Sequence, residues 1–182
     1  MRKSSFHKNP IAEKLMNPVL LQWVVCVLVV LVSFMLQMTP KALEIAGAKP
    51  WVLFSSTICI ALFMGPVGGG IMGAIAGLLW DVFADCWLGH HAILLMLFGT
   101  VCGILIWLVF RNNIYTALLM LACSILLFIL IDWGLSYVLF EKSEPLVALW
   151  SVFLPNGLYT FLISPIVYGI LYVIIQRLRK DN

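Results

Sequence analysis

The sequence predicts an all-α integral membrane protein, a compact bundle of six transmembrane helices in a single domain. Three observations predict it: composition, the length of the apolar runs, and the placement of charge. Hydrophobic residues make up 63% of the 182 residues and charged residues only 10%, against averages of roughly 45–50% and about 25% in soluble domains. The mean hydropathy is +1.08. Eight acids and eleven bases cannot clothe a soluble globule of this size. Disorder, a disulfide scaffold and most kinds of nucleic-acid binder are excluded on the same grounds.

The first span is 19–36, interrupted only by Gln22 and Ser33. It exceeds the roughly 7–15 residues of a signal-peptide core and is read as an uncleaved helix. The segment 51–80 would extend ~45 Å as one helix, too long without strong tilt. Pro66 and the run Gly68, Gly69, Gly70 mark a break, so this segment divides into spans at 51–64 and 68–83. Further spans follow at 92–110, 114–139 and 148–175.

Charge placement favours six spans over five. Arg2, Lys3, Lys8 and Lys14 crowd the N-terminal tail, and Arg177, Arg179 and Lys180 the C-terminal one. Basic flanks stay cytoplasmic, so both tails belong on the same side and the number of spans is even. Six spans also put Arg111 inside and Asp81, Asp85, Glu141 and Glu144 outside. Eight of the eleven Lys and Arg residues then face the cytoplasm. Trp51, Trp80, Trp133 and Trp150 fall at outer helix ends and Trp23 and Trp107 near inner ends, the headgroup level that indole rings favour.

Ionisable residues inside a membrane are the first functional suspects. Asp132 lies eighteen residues beyond Ile114, about 27 Å along its helix and close to the outer boundary. We read it as an interfacial structural acid, ahead of a partner contact or a transport residue. His90 and His91 lie near Asp81 and Asp85 in the outer loop, but neighbours on a helix point about 100° apart and do not converge on one ion. They are expected to be polar residues at a wet helix start, with no metal. Cys26, Cys59, Cys86, Cys102 and Cys123 lack metal-ligand spacing and are expected to act as small buried hydrophobes. No nucleophile elbow or phosphate loop is present, so no catalytic residue, enzyme activity or cofactor is expected.

The glycines are more informative. Gly69, Gly73 and Gly77 recur every four residues, and Gly99 with Gly103 repeats the interval. Residues four apart share one helix face, and without side chains that face admits another backbone at close range. The expectation is tight packing of spans three and four against each other, or else against a partner helix.

One stretch carries a family likeness: Gly77-Leu78-Leu79-Trp80-Asp81, then Leu88-Gly89, an apolar span with Gly99 and Gly103, and Phe110-Arg111-Asn112-Asn113. With Leu154-Pro155 and Leu158-Tyr159-Thr160 beyond it, this resembles the rod shape-determining MreD family of bacterial cell-elongation membrane proteins. It departs at His90-His91, where members more often carry an aromatic or aliphatic residue followed by asparagine. The resemblance implies a fold similar to the S component of energy-coupling factor transporters and a cytoplasmic-membrane location. It implies a non-enzymatic scaffold that binds MreC, a single-span membrane protein. It also implies an indirect link between MreB filaments and a peptidoglycan synthase, a RodA-type glycosyltransferase with its penicillin-binding transpeptidase. Asp81, Gly89, Arg111, Asn112, Asp132, Pro155 and Tyr159 are the structural or partner-contact candidates.

The alternative is a vitamin-type S component itself. Such proteins dock their transport module through small residues on the first span. Span 19–36 holds no Gly or Ala. A vitamin pocket also needs convergent polar groups, and the outer half offers little beyond Asp132 and Tyr137.

Overall fold

The chain forms helices α1 (Pro18–Met38), α2 (Val52–Asp81), α3 (His90–Leu108), α4 (Ile114–Trp133), α5 (Pro145–Ala148) and α6 (Leu154–Lys180), with a π-helical turn at Leu149–Phe153. The computed structural model describes residues 18–39, 43–44, 47–84, 88–108, 114–135 and 145–180. Within them the protein is all-helical, and five helices are long and apolar enough to cross a membrane. It is a multi-pass membrane protein.

Five long helices are counted against six expected spans, because 51–80 stays helical except at one residue. Gly65 takes φ 75° and ψ −168°, a backbone conformation that glycine adopts without a Cβ penalty. Pro66 follows, its fixed φ suited to the first turn of a new helix. The chain reverses there. The rings of Trp51 and Trp80, at the two ends of α2, both pack on Phe128, at 5.3 and 6.1 Å between centroids. A straight helix of 30 residues would hold its ends about 45 Å apart. A β-carbon on Gly69 would stand 2.5 Å from the Ala61 β-carbon, eight residues earlier in the chain. α2 is therefore a helical hairpin with arms at 52–64 and 66–81.

The remaining boundaries also shift. The expected span 114–139 is α-helical to Trp133 and passes into a π turn at 134–135; residues 136–139 lie outside the described residues. The expected span 148–175 starts earlier, at Pro145, and reaches Lys180. The π turn at Leu149–Phe153 ends two residues before Pro155. Proline has no N–H for the carbonyl four residues back and its ring crowds that carbonyl, so the turn widens there.

The hairpin occupies the centre. Leu53, Phe54 and Ile58 through Leu62 are buried along its first arm, and α1, α3, α4 and α6 all contact the hairpin. Phe54 meets Phe98 at 5.6 Å and Phe128 at 4.7 Å, and Trp51 meets Phe153 at 6.1 Å. Such tilted and edge-on pairs suit aromatic quadrupoles. Cys26, Cys59 and Cys102 are buried, whereas Cys123 is exposed on the outside of α4.

Candidate functional site

Two structural features set the site: the seam between the second hairpin arm and α3, and the polar end where that seam terminates. Along the seam the glycines meet backbone. A β-carbon on Gly73 would overlap the Leu95 carbonyl, and one on Gly77 would overlap Ala92 and His91. Gly69 and Gly99 face each other, and Gly103 lies against Gly65 and Pro66 at the reversal. No other residue type permits two helices to approach this closely.

At the seam's end the first N–H groups of α3 need partners. Gly89 stands where a capping side chain would be, and it has φ 98°, so no side chain of its own can cap. Asp81, the last residue of α2, supplies the cap from across the turn. Its Oδ2 accepts from the N–H groups of Gly89 at 2.9 Å and Ala92 at 3.1 Å. Its Oδ1 accepts from the His91 N–H at 3.0 Å and from His91 Nδ1 at 2.8 Å. A carboxylate at a helix N-terminus also matches the positive end of the helix dipole.

His91 is held on its faces as well. Its ring stacks on Trp80 at 4.4 Å with a 12° interplanar angle, and Phe128 lies 6.4 Å away. His90 turns the other way, placing Nε2 2.8 Å from Asp132 Oδ1 on α4, with side-chain exposures of 17% and 13%. The two histidine rings meet edge-on at 4.9 Å. This corrects the expectation that adjacent histidines cannot converge. One ligating atom from each of His90, His91 and Asp132 falls within 4.8 Å of the others. The 100° divergence of neighbours describes Cβ directions, and the ring nitrogens lie far enough beyond Cβ to narrow the gap.

A second polar cluster serves the start of the hairpin's first arm. The Trp51 N–H donates to Thr160 Oγ1 at 2.8 Å, the Leu53 N–H to Gln37 Oε1 at 2.9 Å, and the Lys49 N–H to Asn156 Oδ1 at 2.8 Å. Ser55 donates to Ser164 at 2.9 Å. A cavity of about 170 Å³ opens beside Gln37, Lys49, Trp51, Trp80 and Asn156. Gln37, Lys49 and Asn156 were not expected from the sequence, and Thr160 entered only within the family likeness, although Asn156, Thr160 and Ser164 form a polar stripe at four-residue intervals in an apolar helix. That interval was the available signal.

Of the other candidates, Pro155 and Tyr159 are half-buried in the first turns of α6, and Arg111, Asn112 and Tyr137 lie outside the described residues. A larger apolar groove, about 420 Å³, runs between α1 and α6 beside Val25, Leu28, Val32, Val167, Ile170 and Ile174.

Among curated proteins and among solved structures nothing matches this chain. The family comparison is decisive. Residues 18–181, nearly the whole chain, match the model of the rod shape-determining protein MreD, so the protein belongs to the MreD family and has a role in rod-shape determination.

Proposed function

We propose that this protein is a non-enzymatic scaffold of the bacterial cell-elongation complex, seated in the cytoplasmic membrane with both termini in the cytoplasm. It binds MreC and helps couple MreB filaments to a RodA-type glycosyltransferase and its penicillin-binding transpeptidase. The observation that carries this reading is the family match from residue 18 to 181. The distribution of polar groups supports it. Gln37, Asn156 and Thr160 cap the start of the hairpin and Asp81 caps α3, so the buried polar residues serve the fold.

The hairpin supports an even number of crossings. Because α2 returns to the side from which it starts, the tails share a side whether or not its turn reaches the far surface. Counting each arm as a membrane-embedded segment gives six. The arms extend about 20 and 24 Å, short of the ~30 Å hydrocarbon core; on this reading the Gly65 turn, which lies against Gly103, sits within the inner leaflet. The six-helix S-component likeness belongs to the same proposal.

A vitamin-type S component is the weaker reading. Its pocket would need roughly 300–1,000 Å³ with polar anchors. The polar cavity here is about 170 Å³, and the 420 Å³ groove has an aliphatic lining apart from Ser33. Affinity purification in mild detergent from the native host separates the two. Co-purification of MreC and the elongation synthase is expected; recovery of an ATPase-bearing transport module instead would overturn the scaffold.

A further inference from the structure

We propose that His90, His91 and Asp132 bind a divalent transition-metal ion of the zinc class at the outer end of the bundle. The ligands are of the right kind. Two imidazole nitrogens and one carboxylate oxygen are a common three-ligand set for zinc, completed by water at a fourth position. They are also close: the three ligating atoms lie within 4.8 Å of one another. A tetrahedral ion with bonds of about 2.0–2.1 Å needs ligand atoms roughly 3.3 Å apart. His90 Nε2 and Asp132 Oδ1, at 2.8 Å, would open slightly, and His91 would move in by about 1.5 Å at most.

The surrounding residues fit an ion as well. Metal-bound histidines usually present the second ring nitrogen to a carboxylate, which fixes tautomer and ring direction. Asp81 does this for His91, with Oδ1 2.8 Å from Nδ1. A carboxylate partner keeps the proton on Nδ1 and assigns Nε2 to the ion. Trp80, stacked at 4.4 Å, prevents the ring from swinging away. His90 is 17% exposed, which leaves a path for the ion and its water. Bound there, the ion ties the start of α3 to the end of α4, two helices whose backbones approach each other at few positions and which meet through side chains such as Phe98 and Phe128. The four groups come from the ends of α2, α3 and α4, so only the folded bundle makes the site.

The test uses the full chain, purified in detergent and stripped with a chelator. Cobalt(II) is titrated and followed by visible absorption, and zinc(II) is then added as competitor. One cobalt per chain with a four-coordinate nitrogen and oxygen spectrum is expected, displaced stoichiometrically by zinc. His90→Gln and Asp132→Asn keep size and hydrogen-bonding capacity but remove a ligand, and each should abolish that spectrum. Asp81→Asn should weaken cobalt binding about 10–100-fold. Zinc should raise the melting temperature of the wild type and leave that of His90→Gln unchanged, a reading that also reports whether the variant folds. Equal cobalt binding by the wild type, His90→Gln and Asp132→Asn would overturn the proposal. So would intense thiolate charge-transfer bands, which would place the ion on cysteines, or no binding by the folded wild type.

Discussion

The hairpin–α3 seam and the α1–α6 groove are both interfaces between apolar helices, but they are packed in opposite ways. In the seam, backbone lies on backbone and every glycine is filled by its neighbour. In the groove, branched side chains leave about 420 Å³ open. Hydropathy does not explain the difference. Compared over the apolar stretch of each long helix, that of α1 is the most apolar and the least buried, while that of α2 is the least apolar and the most buried. In lipid, apolar surface gains little by meeting other apolar surface, so association follows close packing and hydrogen bonds. α1 has neither Gly nor Ala, and its surface is suited to lipid. Glycine alone is also insufficient: Gly169 on α6 has nothing within reach of an added β-carbon.

The largest test of this contrast is a matched pair of substitutions. Gly77→Leu drives a side chain into the backbone of Ala92, an overpacking cost expected to exceed about 3 kcal/mol and to remove folded protein. Gly169→Leu points into open space and should stay within about 0.5 kcal/mol. Detergent thermal melts and size-exclusion profiles of both variants check this. Equal damage at the two sites would show that the seam is not special.

The seam's polar end comes next. Asp81→Leu leaves three backbone N–H groups and the His91 ring without their acceptor, a loss of about 3–5 kcal/mol by analogy with a broken buried pair. Asp81→Asn retains an acceptor oxygen and should cost about 1–2 kcal/mol, in the range of a weakened cap. Equilibrium unfolding of the two variants gives the ordering, and a reversed order would remove the capping role.

At the start of the hairpin's first arm the expected effect is smaller. Thr160→Val takes the acceptor from the Trp51 N–H and should destabilise by about 1–3 kcal/mol, while Thr160→Ser should restore most of it. Faster hydrogen exchange at Trp51 in the valine variant alone would locate the loss.

The groove should respond least. Val32 is 58% exposed, and Val32→Ala is expected to change stability by no more than about 0.5 kcal/mol. A measured loss above 1 kcal/mol would mean that α1 packs there as tightly as α3 does in the seam.

Some of this was determined by sequence alone. The membrane character follows from composition and run length, because a chain this apolar has no soluble alternative. The break at Gly65-Pro66 is local chemistry, legible as a residue free to take positive φ followed by one that starts a helix. The four-residue glycine interval defines a face, since helical geometry alone puts those positions in line.

The partners of these features were decided only by the tertiary structure. Periodicity names a face and not what covers it, so α3 as the cover of Gly69, Gly73 and Gly77 is a result of the fold. Asp81 and Asp132 are legible as acids at helix ends, but their division between His91 and His90 depends on how α2, α3 and α4 end together. The Asp132–His90 contact joins residues 42 apart in the chain, and the Asn156 cap on Lys49 joins residues 107 apart. Neutral residues such as Gln37 and Thr160 carry no charge, and beyond the four-residue polar interval on α6 the sequence does not say what they cap. They matter because the first turn of a helix inside a membrane needs acceptors that water cannot bring and only neighbouring helices can supply.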